Sequence, residues 1–273
     1  MKRALFAVSL RMGLYTNLVW AAALSVYAAA IAALYPSIAR TEGLAEYFGN
    51  LPEQLRELAG VEDIELLLDE AGFFTFEGFL ATEYMAWWPV FLGVYAVISG
   101  GGLVAREAER GTLEVMLSHP ISRSGFLITK ALAQLLVFAL LTVVSTAAVL
   151  ASGAFLDSPP DAWHTVLAHL AGFGLVAAIF SYSVLFSALL MRPGRAMGAA
   201  GVLSLILYLL DVLAPTLGSL EWLRNLSLFS YFDGLSLLRS GDINVAGIAI
   251  FAIVTAAALA GAARAFEERD IVA

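Results

Sequence analysis

The chain has 273 residues, of which 60% are hydrophobic and 14% are charged, and its formal net charge is −8. Soluble globular domains carry about 25% charged residues, so this composition excludes an ordinary soluble domain and indicates an integral membrane protein. The sequence contains no cysteine, which excludes disulfide frameworks, iron–sulfur clusters and thiol catalysis.

Six apolar stretches are each long enough to cross ~30 Å of hydrocarbon, which takes about 20 helical residues. Backbone groups in lipid must find their hydrogen bonds within the protein, and the alternating pattern of barrel strands is not present in this sequence. The sequence therefore predicts an all-α integral membrane protein that forms one domain over residues 1–273. We place its six transmembrane helices at residues 13–35, 86–105, 126–152, 165–191, 198–217 and 243–263.

The distribution of lysine and arginine predicts the orientation of these helices. Eleven basic residues fall on one side of the predicted membrane and four on the other, so we expect both termini and the loop 106–125 in the cytoplasm. A cleaved signal peptide is a competing interpretation of residues 1–33. Arg11 interrupts its first apolar run, however, and the run that follows is longer than a typical signal-peptide core.

The segment 36–85 is the largest predicted region on the outer side. Apolar residues recur at helical spacing at 44–51 and at 55–58, separated by Pro52, and a third short helix fits 61–70. We expect these acidic, amphipathic helices to cap the membrane domain or to bind an outer partner. At the end of the segment, three aromatic residues predict an interfacial belt: Tyr84, Trp87 and Trp88.

The loop between the second and third spans is charged and interrupted. Gly111 weakens the helix that leaves the second span, and Thr112 can cap a new helix whose first turn contains Glu114. Pro120 ends that helix, which we therefore expect at Leu113–Ser118. Its apolar face consists of residues at helical spacing: Leu113, Met116 and Leu117. Ser122 or Ser124 can cap the third span.

The residues of this loop resemble the hallmark loop of ABC-2 type transporter permeases. The resemblance is carried by Glu107, Glu109, Arg110-Gly-Thr-Leu-Glu114, Leu117-Ser-His-Pro-Ile-Ser-Arg123 and Lys130. The C-terminal Phe266-Glu-Glu-Arg-Asp-Ile271 is similar to an ending common among these permeases. By appearance, the nearest groups are the NosY-like and bacitracin-exporter-like permeases, and the outer segment 36–85 is a departure from a minimal member.

The resemblance implies a type V exporter permease fold in the plasma membrane of a prokaryote. Two copies, or one copy and a related permease, would pair with two cytosolic ATPase subunits, which would bind ATP and Mg²⁺ while this chain binds no cofactor. Export is the expected direction, no nucleic acid is implied, and the substrate is not specified. Residues expected to couple the chain to the ATPase are Glu107, Arg110, Gly111, Thr112, Leu113, Glu114, Met116, Leu117, Pro120, Arg123 and Lys130.

Motifs of nucleotide hydrolysis are absent from these 273 residues. There is no G-x-x-x-x-G-K-[ST] sequence, and no glycine is followed by lysine, so we expect a non-catalytic subunit. Gly100, Gly101 and Gly102 are better explained by close helix packing, and Gly194 and Gly198 by a helix contact, such as one between subunits.

Three other functions compete with this prediction. An ion-coupled secondary transporter needs an ionisable group in the membrane, and Asp211, one turn after Tyr208, is the candidate. An intramembrane enzyme is a further alternative, but neither H-E-x-x-H nor G-x-S-x-G occurs. Asp161, His164 and His169 could bind a metal, although their spacing matches no strong motif. A purely structural anchor would not need so elaborate a loop at 106–130.

Overall fold

The computed structural model of this protein describes residues 2–39, 75–118 and 121–269. The helices predicted within 44–70, together with His119, Pro120, Asp270 and Ile271, lie outside the described residues. Over the described residues the regular structure is entirely helical, which confirms the predicted all-α class. The helices are α1 Lys2–Met12, α2 Leu14–Ala39, α3 Phe76–Leu80, α4 Trp88–Gly101, α5 Ala105–Glu109, α6 Thr112–Leu117, α7 Arg123–Gly153, α8 Ala162–Leu190, α9 Pro193–Leu213, α10 Gly234–Ser240 and α11 Val245–Glu267.

Within the described residues, five helical stretches are long and apolar enough to cross a membrane: Leu14–Ser37, Arg123–Gly153, Ala162–Leu190, Pro193–Leu226 and Val245–Glu267. They correspond to the first, third, fourth, fifth and sixth predicted spans. The fifth consists of α9 and a 3₁₀ segment, Ala214–Leu226. These stretches make the chain a multi-pass membrane protein.

The second predicted span, residues 86–105, corresponds mainly to α4, and two short elements precede it. Helix α3 continues through a π-helical segment, Ala81–Met85, towards α4, which contains 14 residues. At 1.5 Å per residue α4 alone is about 21 Å long, less than the ~30 Å that a single helix needs to cross the hydrocarbon. The number of six membrane-crossing helices therefore stays a prediction.

Glycines at the end of α4 allow close helix packing. A Cβ added to Gly100 would lie 2.7 Å from the backbone oxygen of Phe180 in α8, and one added to Gly101 would lie 2.9 Å from Met197 in α9. The prediction of close packing at these glycines is thus confirmed, and a larger residue would force α4 away from α8 or α9.

Helix α8 is the centre of the bundle. It packs against α4, α7, α9, α10 and α11, and most of its residues are buried. Many buried positions carry small residues, which let the neighbouring helices approach closely. The buried hydroxyls of Ser181 and Ser183 are satisfied within the helix itself. Ser181, for example, donates to the carbonyl of Ala177 at 2.7 Å.

The predicted aromatic belt is wrong for two of its three residues. Tyr84 and Trp88 are both fully buried, and only Trp87, which is 45% exposed, remains on the surface. The reason is that α3 and the π segment continue the bundle instead of lying above it. Tyr84 stacks on Tyr27 of α2 with ring centroids 5.1 Å apart, so this side chain belongs to the core.

Candidate functional site at the basic end of the bundle

Basic residues are concentrated at one end of the bundle, which we call the basic end. The C-terminal ends of α4, α8 and α11 meet the N-terminal ends of α7 and α9 there, and α5 and α6 connect α4 to α7 across it. Arginines at this end include Arg106, Arg110, Arg123, Arg192, Arg195, Arg264 and Arg269. The segment of interest is residues 105–118, which consists of α5 and α6 and is called the connecting segment.

The predicted break and short helix of the connecting segment are present. Gly111 has φ +68°, a left-handed conformation that favours glycine, and it separates α5 from α6. Helix α6 spans Thr112–Leu117, close to the predicted Leu113–Ser118. Thr112 is the first residue of the helix rather than the residue before it. Its hydroxyl donates to a carboxylate oxygen of Glu107 at 2.5 Å, and the predicted capping of α6 by this side chain stays a prediction.

An ion pair attaches the connecting segment to α7. Lys130 Nζ lies 2.7 Å from Glu107 Oε1, and the two side chains are 15% and 12% exposed. Burial raises the pKa of the Glu107 carboxyl, but the hydrogen bonds from Lys130 and Thr112 and the nearby positive charges outweigh burial, and the pKa lies below its ordinary value. Glu107 is therefore a charged, internally satisfied group that joins α5, α6 and α7.

A serine of α8 holds the start of α5. The backbone N–H groups of Val104 and Ala105 both donate to Ser187 Oγ, at 3.2 and 3.1 Å, and all three residues are buried. The first N–H groups of a helix have no partner within it, so Ser187 performs from another helix the role of a capping side chain. Sequence reasoning missed this contact because nothing near Ser187 in sequence indicates a partner at residues 104–105.

Two arginines, Arg269 and Arg123, connect the C-terminal motif to the basic end. Arg269 Nη1 donates to the carbonyls of Ala188, at 3.2 Å, and Leu189, so its charge lies at the C-terminal end of α8, where the helix dipole favours a cation. Arg123 in turn donates to the carbonyl of Arg269. Ser122 caps α7 by accepting from the N–H of Gly125 at 3.1 Å, which confirms one of the two serines predicted for that cap.

The apolar face of α6 is partly turned inward. Leu113 is buried in the core, and Met116 packs against the core while partly exposed. The side chains of Glu114 and Leu117, like Pro120, lie outside the described part of the chain. Among the residues of the connecting segment whose burial is described, Glu109, Arg110, Gly111 and Ser118 are exposed.

The other predicted site residues do not form a second centre with the expected chemistry. Asp211 pairs with Arg224 at 3.0 Å, in the wall of a cavity of about 700 Å³ at the end of the bundle opposite the basic end. Asp161 caps α8 by accepting from the N–H of His164, whereas His169 is fully buried two turns further along. Among the described residues, no group of three His, Asp or Glu side chains could hold a metal ion.

Comparison with known proteins supplies the family. A search of curated proteins gave no match. The family model described as ABC-2 family transporter protein matches residues 4–271, which is almost the whole chain and includes the connecting segment, Lys130 and Arg269. The chain therefore belongs to the ABC-2 family of transporter proteins.

Proposed function

We propose that this chain is the permease subunit of an exporter whose ATP is hydrolysed by a separate cytosolic ATPase, with the connecting segment, which includes α6, as the part that binds that ATPase. Family membership implies a permease subunit that works with an ABC ATPase and is not itself catalytic. Export, a cytosolic position of the basic end and the pairing of two permease copies with two ATPase subunits are parts of the proposal.

The observation that carries the proposal is the fixed connection between the connecting segment and the long helices. Glu107 binds Lys130 of α7, while Ser187 of α8 binds the first N–H groups of α5. Arg106 also donates to the carbonyl of Ile98 in α4 at 3.2 Å. A force applied to the exposed side of the connecting segment therefore reaches α4, α7 and α8 through specific polar contacts rather than through a slack loop.

The mechanism follows from that connection. ATP binding closes the paired ATPases and displaces the connecting segment of each permease. Because this segment is bound to α4, α7 and α8, these helices reorient and change the path at the interface between the two permeases. Residues Glu109 and Arg110, which are exposed, are positioned for polar contacts with the ATPase. Glu107, Thr112 and Lys130 then act by holding the segment in place, since they bind one another.

The structure offers less support for ion-coupled transport through Asp211. Its carboxylate is bound by Arg224, and both residues line an open cavity away from the centre of the bundle. A coupling carboxylate needs to bind and release its ion during the cycle, whereas the carboxylate of Asp211 is held in an ion pair with Arg224 at 3.0 Å.

The test is the co-purification of the chain with the ABC ATPase subunits of its own genome. We compare Glu109→Arg with Glu221→Arg, because both glutamates are exposed and Glu221 lies in the 3₁₀ segment at the opposite end of the bundle. We expect Glu109→Arg to abolish the complex and Glu221→Arg to retain it. If a folded wild-type chain binds no ATPase, or if both variants bind it equally, the proposal is wrong.

A further inference from the structure

A group of buried polar side chains lies in the half of the bundle away from the basic end. In the described part of the chain, five buried side-chain nitrogen or oxygen atoms lack a hydrogen-bond partner, and four belong to residues that are themselves fully buried. These four atoms are Tyr84 Oη, Trp88 Nε1, Ser145 Oγ and His169 Nε2. We call these residues the His169 cluster.

The residues of the His169 cluster come from separate elements that meet at α8. The His169 ring lies 5.1 Å from the Trp88 ring of α4 and 5.8 Å from the Tyr84 ring of the π segment, centroid to centroid. Ser145 of α7 approaches the Tyr84 hydroxyl without forming a hydrogen bond with it. Helices α4, α7 and α8 thus each contribute one polar side chain to the same region, and the π segment contributes a fourth.

The hydrogen-bonding pattern of the cluster specifies its ligand. His169 Nδ1 lies 2.8 Å from the carbonyl oxygen of Thr165. A carbonyl can only accept, so Nδ1 carries the proton, and in the neutral ring Nε2 is an acceptor. The Trp88 indole N–H is only a donor, whereas the hydroxyls of Tyr84 and Ser145 can do either. A ligand that binds both of these atoms must therefore accept from Trp88 and donate to His169.

The local backbone conformation also supports a ligand-binding site here. Tyr84 lies in a π-helical segment, a feature found frequently at functional sites. Tyr27 donates to the carbonyl of Glu83 in that segment and stacks on the Tyr84 ring, so a neighbouring helix holds Tyr84 in place. The same segment and the start of α4 contribute Ala81, Ala86 and Pro89 to the wall of the cavity of about 700 Å³, so this cavity borders the elements that carry Tyr84 and Trp88.

We propose that the His169 cluster is a binding site for ordered water inside the membrane domain. Water both donates and accepts, it is small enough for a closely packed region, and buried waters typically bind two to four such polar groups. The bound water gives α4, α7 and α8 a shared hydrogen-bonded joint.

The direct test is solid-state NMR on the full chain in lipid bilayers with ¹⁵N-labelled histidine. The sequence has only three histidines, so the ring signals are few, and their assignment to His169 comes from His169→Phe. If that variant does not fold, His119→Gln and His164→Gln assign the remaining signal by elimination. We expect magnetisation from water to reach the unprotonated Nε2 of His169. Its absence there, with transfer to the partly exposed His164 present, would overturn the proposal.

A second measurement uses the melting temperature of the full chain in nanodiscs. If water binds the Tyr84 hydroxyl, Tyr84→Phe removes a satisfied hydrogen bond, and the melting temperature should fall by about 2–4 °C. Tyr15→Phe is the matched control because Tyr15 is 82% exposed, and it should change nothing. An unchanged or raised melting temperature for Tyr84→Phe would mean that its hydroxyl has no ligand.

Discussion

The smallest unit with a clear consequence is the ion pair between Glu107 and Lys130. Both side chains are largely buried, and Glu107 also accepts from Thr112, so each charge depends on its partner within the chain. Lys130 additionally lies over the Phe126 ring, 5.3 Å from its centroid. A buried charge that loses its partner costs far more than a surface charge that loses one.

We predict that Lys130→Met destabilises the chain by about 1–3 kcal/mol, because it leaves the Glu107 carboxylate buried with the hydroxyl of Thr112 as its remaining side-chain partner. Arg195→Met is the control, since Arg195 is exposed at the same end of the bundle. Melting temperatures in nanodiscs measure the difference. Equal melting temperatures for the two variants would contradict the prediction.

The same ion pair predicts a pH dependence. The pKa of Glu107 in the folded chain lies below its ordinary value of 4.5, so its ionised form stabilises the fold. This stabilisation is complete above the unfolded pKa and is lost as the pH falls through the folded pKa. Wild type should therefore have a higher melting temperature than Glu107→Gln at neutral pH. This difference in melting temperature should shrink only below pH 4.5. If the difference in melting temperature already shrank near neutral pH, the pH dependence would belong to a group other than Glu107.

At the scale of elements, the junction between α5 and α8 shows how a short helix is positioned. Helix α5 has five residues, too few to be stable by itself, so its direction depends on contacts outside it. Ser187 supplies those contacts to its first N–H groups, and Gly111 allows the chain to turn into α6 immediately after it.

We predict that Ser187→Ala costs about 1–3 kcal/mol, because it leaves two buried backbone N–H groups without their partner. Ser183→Ala is a matched control one turn earlier on α8. Ser183 is equally buried, but its hydroxyl donates only to the carbonyl of Ile179 in its own helix, so its loss should cost little. Chemical or thermal unfolding of both variants decides the matter, and similar costs would show that Ser187 does not hold α5.

At the scale of the whole molecule, Arg269 connects the C-terminal end of the chain to α8 and α7 at the basic end. It follows α11, binds the end of α8, and receives a hydrogen bond from Arg123 at the start of α7. Phe266, one turn before it, is fully buried. The C-terminal motif therefore acts as a clamp between the last helix and the helices next to the connecting segment.

We predict that Arg269→Ala speeds amide hydrogen exchange in residues 105–118 and 121–126 by roughly tenfold, since it removes charge-assisted hydrogen bonds at this junction. Arg264→Ala is the control, because Arg264 is exposed and pairs with Glu268 only four residues away. Exchange followed by mass spectrometry measures both. If the increase were confined to the last residues of α11, the clamp would not reach the connecting segment.

The sequence by itself determined the membrane class, most of the spans and the short helix after Gly111. These features depend on local quantities: apolar length, the conformational freedom of glycine and the placement of Pro120. The close packing at Gly100 and Gly101 was predictable for the same reason, because small residues in a span allow helices to approach.

Only the tertiary structure decided which of those residues face inward. Tyr84 and Trp88 are residue types typical of an interfacial belt, and Leu113 is typical of the apolar face of a docking helix. All three are nevertheless buried. Ser187, Arg269 and His169 gained their importance from partners on other elements, up to 83 residues away in sequence for Ser187. A side chain's partner across a helix bundle depends on how the helices are arranged, and the local pattern of polar and apolar residues carries no record of that arrangement.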